Sequence, residues 1–458
     1  MTERPRRTPP AVAGGRVSKT GFARPRRQVP RGPAILYRNA TWRMRQYPSS
    51  RVSGPNRQDG VAMAATGAAA GGARQRLTAA ERRAQLTEAA ARRFERDGYP
   101  RVSLADVAAD VGVTAPAVYR HFKNKQDLLV GAILDGLDLV ERTLARTAGD
   151  SLEDLVVAMA DLMMDRRYLW ALFQREARFL APESQASIRR QFDRVIGKLV
   201  RRLRQHRPEL APDEARLLIT AATSALASPA MPKSVPRALV SGELAGSAMR
   251  ILNLQLEKCL AKVETRGGSI THAPSPNSRR DELLESAIGL FFRRGYAGVS
   301  LDDIGASAGL AGPSLYHHFN TKTDILVAAF SRATERLTEE YDLRSKATPT
   351  PALAELVGMY TDFCLRNREL VGIYVSDVSY LPPDLQRQIR AVLRQRVAEW
   401  ADAVTTENSE IGLRPARVRS HAALTVIDDL VRLGRFHVRP NVAAEIRVVA
   451  MSILTGNA

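Results

Sequence analysis

Two cysteines, Cys259 and Cys364, lie far apart in apolar surroundings, which rules out a disulfide framework and suits a reducing compartment. Both read as core filler. Long apolar runs are also missing: the stretch from Ala422 to Val431 is broken by Asp428 and Asp429, and nothing reaches the ~18 uncharged residues of a membrane span. There is no Gly-rich phosphate loop, no His-Glu-x-x-His and no Gly-x-Ser-x-Gly, and the seven histidines gather only at His317 and His318. The expectation is a soluble protein that is not an enzyme, with no catalytic residue, no metal and no cofactor.

Acidic residues are almost absent from one end. Residues 1–58 hold thirteen Arg and one Lys against Glu3 alone, a net +13 that leaves +7 of the formal +20 for the remaining 400 residues. Such a balance points to a polyanionic partner such as nucleic acid, but most of it sits outside the folded part. Residues 1–73, rich in Arg, Pro, Gly and Ala, show neither a helical nor a strand period and read as disordered. They fit a basic arm on phosphates, a mis-called start with translation beginning at Met63, or an Arg-rich transit peptide.

From Thr78 onward the pattern is helical, with scarcely a β-like run, and it occurs twice. Sliding the chain by 197 residues lays Gly98–Leu129 on Gly295–Leu326 without a gap and with fifteen identities in thirty-two positions. Further on, Leu180-Ala-Pro-Glu183 and Leu381-Pro-Pro-Asp384 each close one apolar helix and open the next. The repeated unit is therefore a whole protein of ~190 residues, and the Gly, Ser and Pro of residues 265–277 make the linker. The expected layout is a first head at 78–140, a first helical domain at 141–264, a second head at 278–338 and a second helical domain at 339–458.

Leu86, Ala90 and Phe94 form one apolar stripe that ends at Gly98. Ser103, three residues before Asp106, opens a second helix through a capping box, and Gly112 supplies the positive φ of a tight turn. Thr114 caps a short third helix carrying Pro116 in its first turn. Helix, glycine turn and short helix make a helix-turn-helix. Leu283, Ala287 and Phe291, then Ser300 to Asp303, Gly309 and Pro313 repeat it.

Val113 to Phe122 followed by Lys123-Asn-Lys-Gln-Asp-Leu-Leu129 resembles the DNA-binding signature of the TetR family of bacterial repressors, and Leu310 to Leu326 resembles it again. The likeness covers about 60 residues per copy. It implies an all-α fold of two TetR-like copies, each a three-helix head followed by a helical domain that dimerises and holds a small effector. Thr114, Ala115, Ala117 and Arg120 would then face base edges in the major groove, Tyr119 and Lys125 would hold phosphates, His121 would serve either role, and Phe122 would be core. In the second head Ser314 and His317, beside His318, read bases, with Tyr316 and Lys322 on phosphates. Ala311 and Gly312 there replace the capping threonine and add flexibility.

In the helical domains Trp170, Phe173 and Tyr374 are candidate effector-lining residues, with ordinary core packing as the plainer reading. The resemblance implies that the last two helices of each copy form the dimer face, and Asp428 and Asp429 are expected at its rim or facing water rather than as a functional pair. Two copies in one chain allow an intramolecular pseudo-dimer with two unlike heads, or a homodimer with four. The function that follows is a ligand-responsive regulator of double-stranded operator DNA, a repressor released by a small apolar molecule, in a bacterial cytoplasm and associated with the nucleoid. Its rival is a DNA-organising binder without an effector and with a vestigial second head.

Overall fold

The computed structural model describes residues 77–228, 235–262, 278–309, 316–347 and 352–456. The basic arm, the 265–277 linker and Ser314 with the start of its helix lie outside them. Among the described residues the chain is all helix, turn and loop, with no strand.

The first head is α1 (Ala79–Asp97), α2 (Leu104–Asp110) and α3 (Ala115–Tyr119), and it is followed by α4 (Lys125–Arg146). Local chemistry sets these bounds. Thr78 accepts the N–H of Glu81 while Glu81 reaches back to Thr78, and Ser103 and Asp106 do the same for α2. Asn124 caps α4 through the N–H of Asp127. Gly112 turns the chain between α2 and α3 at φ +67°, and Gly309 does so in the second head at φ +66°, a region that a side chain adopts only with strain. Thr114 occupies the N-cap of α3 as expected, but its hydroxyl makes no capping bond.

A 3-10 turn at Tyr99–Arg101 joins α1 to α2. Beneath the head run α5 (Leu152–Asp165), α6 (Tyr168–Ala171), which continues as a π-helical turn over Leu172–Glu176, α7 (Pro182–His206), α8 (Pro212–Leu226), α9 (Arg237–Asn253) and α10 (Leu256–Lys262). The second copy repeats the order as α11 (Arg279–Arg294), α12 (Leu301–Ser307), α13 (Lys322–Ala347), α14 (Leu353–Arg366), α15 (Arg368–Asp377), α16 (Pro383–Glu407), α17 (Leu413–Arg432) and α18 (Val442–Thr455). Helices α4 and α13 run unbroken through residues 140 and 338, so each head is welded to its helical domain by a shared helix.

Each head has its own core. In the first, Leu86, Phe94, Val107, Val118, Phe122 and Leu128 are all fully buried, and Leu172 and Ile188 from below join them. The main core belongs to both copies at once. Leu217, Leu218 and Ala221 of α8 and Ala248 and Ile251 of α9 share one apolar cluster with Ala422, Val426 and Leu430 of α17 and Ile446, Val449 and Ile453 of α18. The alanines let helix axes approach closely, so burial rather than charge holds the seam. At its margin Arg419 Nε lies 2.7 Å from Glu243 Oε2, and Arg250 Nε donates to the Ser452 carbonyl at 3.1 Å. Within the chain the two copies are packed on one another through this core.

Candidate nucleic-acid interface

Helix α3 is short because only one side of it is anchored. Val118 and, just past its end, Phe122 are fully buried. The Arg83 guanidinium lies 4.2 Å above the Phe122 ring and also donates to the His121 carbonyl at 2.7 Å, which locks the C-terminal end of the helix. Arg93 grips Asp110 with two bonds of 2.7 Å, tying α1 to the end of α2. On the other side Thr114, Pro116, Tyr119 and Arg120 face solvent, Tyr119 with 58% of its surface exposed. Ala115, Ala117 and His121 are half-buried at the flanks. An exposed ridge of a hydroxyl, small side chains, a phenol and a guanidinium on a rigid support can enter a major groove.

The second head is built alike as far as it is described. Phe319 is buried beneath Arg280, 4.5 Å from its ring, while Tyr316 and His317 are exposed and His318 is half-buried. Tyr316 exposes 53% of its surface, close to the value of Tyr119.

Both lysines expected on phosphates are held by the fold. Lys125 Nζ donates to the carbonyls of Tyr99 and Val102 at 2.9 Å and reaches that of Pro100 at 3.4 Å, over the Tyr99 ring at 4.3 Å. Lys322 does the same with Tyr296 and Val299, at 2.9 and 2.7 Å, and sits 4.4 Å from the Tyr296 ring. Burial lowers the pKa of both. Their ammonium groups cap the carbonyls of a turn, so a phosphate would compete with the fold for them. Asp127 and Asp324, the acids of the same motif, accept backbone N–H groups at the starts of α4 and α13.

The turns that the lysines hold are also tied from below. Glu176, 4% exposed, accepts the Tyr99 N–H at 3.3 Å, and Asp377, fully buried, accepts the Tyr296 N–H at 3.4 Å. Tyr99 stacks on Phe179 at 5.6 Å, Phe179 meets Tyr380 edge-on at 6.3 Å, and Tyr380 lies 4.9 Å from Tyr296. A row of four aromatic rings thus runs from one head to the other, ended on each side by a lysine. Sequence reasoning missed the two carboxyls and the two head tyrosines. The signal was there: the Gly-Tyr pair supplies two of the fifteen identities, but only the fold shows what it touches.

The helical-domain candidates separate. The Trp170 indole N–H donates across the seam to Asp429 Oδ2 at 3.3 Å, Phe173 stacks on Phe192 at 4.2 Å, and Tyr374 packs on Phe330 at 5.6 Å. Asp429 is not at a wet rim: it is 2% exposed, paired with Arg432 at 2.6 Å, and also accepts from Gln174 at 3.1 Å. Its charge is tolerated because a cation and two donors surround it. Asp428 is half-buried against Tyr360 and Cys364. Among the described residues no group of His, Cys, Asp and Glu could hold a metal ion, and no helix is long and apolar enough to cross a membrane.

Comparison with known proteins falls on the same residues. The family described as bacterial regulatory proteins, tetR family, matches residues 86–132 and again 283–329. The chain is 46% identical over 82 residues to the probable HTH-type transcriptional regulator ArpR of Pseudomonas putida, covering 18% of this chain and 38% of that protein. It is 36% identical over 85 residues to the HTH-type transcriptional repressor KstR2 of Mycolicibacterium smegmatis, covering 19% and 41%. These matches span about two fifths of the relatives' length. A solved TetR-family regulator from Bordetella parapertussis is 19% identical with a TM-score of 0.35, covering 39% of this chain and 95% of that one.

Proposed function

We propose that the chain is a tandem regulator of the tetR type, which its two matches to that family support, and that it is a sequence-specific DNA-binding transcriptional regulator, a repressor whose grip on an operator is released by a small molecule in its helical part. The observation that carries this reading is the first recognition helix: Arg120, Tyr119 and Thr114 stand in solvent on a support fixed by Val118 and Phe122. Phosphate contacts position such a head and the exposed tip specifies sequence. The joined core of α8, α9, α17 and α18 supports operation as a single chain. Its two heads carry Arg120 and His317 at matching positions, which favours an asymmetric operator with half-sites about one helical turn, ~34 Å, apart.

Release follows from the welds between head and helical domain. A ligand that shifts α6 or α15 moves Glu176 or Asp377, and with them the turn on which each head rests. To empty an operator from near-full occupancy the ligand must favour the released arrangement by roughly 5 kcal/mol.

The test is selection of genomic fragments by the purified chain at physiological salt, followed by competition with unrelated DNA. Enrichment of one asymmetric site is expected. Equal retention of all fragments would instead establish a DNA-organising binder. Light scattering at micromolar concentration should give the mass of one chain.

A further inference from the structure

The helical domains of the two copies superpose in sequence at a shift of 201 residues: α5 and α14 start at Leu152 and Leu353, and α7 and α16 at Pro182 and Pro383. At this shift the interiors differ in kind. Met159, Met163, Phe173, Val195 and Ala227 in the first copy answer to Tyr360, Cys364, Tyr374, Arg396 and Asp428 in the second. Each of these exchanges brings in a group that donates a hydrogen bond or ionises.

Four of these polar residues meet, and the fifth, Tyr374, packs on Phe330 at 5.6 Å. Tyr360 Oη donates to Asp428 Oδ1 at 2.9 Å, and the Cys364 thiol lies 3.6 Å from the same oxygen. The Arg396 guanidinium is laid over ring faces, 5.3 Å from Tyr341 and 5.2 Å from Tyr360. Among the described residues none forms an ion pair with Asp428, whereas its neighbour Asp429 has Arg432. Asp428 is nevertheless half-buried where Ile427 and Asp429 are buried, and Thr425 and His421 continue this reachable strip along the same face of α17. His421 Nδ1 is buried without a hydrogen-bond partner. Burial pushes the Asp428 carboxyl up to about 6, which still leaves it mostly ionised at neutral pH. An anion whose hydrogen-bond donors, Tyr360 and Cys364, are both neutral suits a cationic nitrogen, and the packed rings of Tyr374 and Phe330 suit an apolar body.

Resting on the regulator reading above, we propose that the second copy alone holds the effector, and that the effector is an amphiphilic organic amine whose ammonium pairs with Asp428 and whose apolar part lies against Tyr374 and Phe330. The first copy, with methionines and alanine at the matching positions, serves as the structural half of the pair. This departs from a wholly apolar effector.

Titration calorimetry of the full chain with 4-phenylbutylamine, 4-phenylbutanol and 4-phenylbutyrate tests it. The amine should bind at one site per chain and more tightly than the alcohol or the acid by about tenfold or more. Asp428→Asn should remove that preference with the helical circular dichroism intact. If Asp428→Asn folds poorly, Tyr360→Phe keeps the carboxylate and should keep the preference for the amine. Equal or tighter binding of the acid, two equivalent sites per chain, or an unchanged preference in Asp428→Asn would each overturn the proposal. Its failure is separable from that of the regulator reading: a chain that selects an operator yet ignores the amine refutes only the effector, and a chain that selects no DNA refutes the regulator whatever the amine does.

Discussion

Phe122 and Phe319 stand at matching places in the two heads, buried and roofed by Arg83 and Arg280, while Arg120 and His317, two residues earlier, differ and are exposed. In the helical domains the pattern is reversed: there the interior has diverged, from Met159 and Ala227 to Tyr360 and Asp428. Buried head residues fix the shape of the head, so they tolerate little change in volume. Exposed tips and the inner lining of the helical domain are the two surfaces that can change partner without changing shape. The duplication has varied these two surfaces and kept the frame.

The largest effect should come from removing the frame. Phe122→Ala deletes a fully buried ring and should cost about 3–5 kcal/mol of stability in the first head, with loss of DNA binding. Phe319→Ala should cost about as much in the second. Chemical denaturation followed by circular dichroism measures both, and a large disparity between them would mean that the heads are not equivalent in construction.

Next in size is the ionisation of Asp428. Its carboxyl ordinarily titrates near 3.8 and is pushed up to about 6 in the fold, chiefly by burial. Between these values the folded chain binds more protons than the unfolded one, so stability falls as pH rises through that window, by up to about 3 kcal/mol for this group. Asp428→Asn cannot ionise and should flatten that part of the pH profile, gaining on the native chain above pH ~6. Melting curves at acid and neutral pH read this out, and parallel profiles for the two proteins would show that Asp428 is not strained. Ala227, at the matching place in the first copy, has no charge to contribute.

What the sequence could show was local. Serine caps, turn glycines and the stripe of Leu86, Ala90 and Phe94 act within one or two turns of helix, and the structure has each where the pattern puts it. The bonds of Lys125 were hidden because its partners, the carbonyls of Tyr99 and Val102, are more than twenty residues away, and a basic residue beside a short exposed helix looks the same whether or not it also holds a turn. Asp429 failed for a related reason. Its donors Trp170 and Gln174 come from the other copy, across a seam that no periodicity reveals.

The role of Lys125 gives a smaller but decisive effect. Lys125→Gln removes an ammonium from three carbonyls and should destabilise the first head by about 2 kcal/mol, typical of hydrogen bonds to a charged group. The salt dependence of DNA binding should keep its slope, because no counterion-releasing contact is lost. A slope shallower by about one charge would place the lysine on a phosphate after all.

The smallest expected effect bears most directly on how the heads differ. Arg120→His gives the first short helix the side chain that the second carries at His317, at an exposed position. Stability should therefore stay within about 0.5 kcal/mol. A guanidinium can hold guanine through two bonds and an imidazole through one, so discrimination at a single base pair should fall by about 1–2 kcal/mol. The loss should be confined to the half-site under the first head, and the selected operator should become more nearly symmetric. Repeating fragment selection with this variant checks both points. If the preference shifts in both half-sites, or in neither, the two tips do not read DNA independently, and the row of rings from Tyr99 to Tyr296 becomes the physical link through which one head constrains the other.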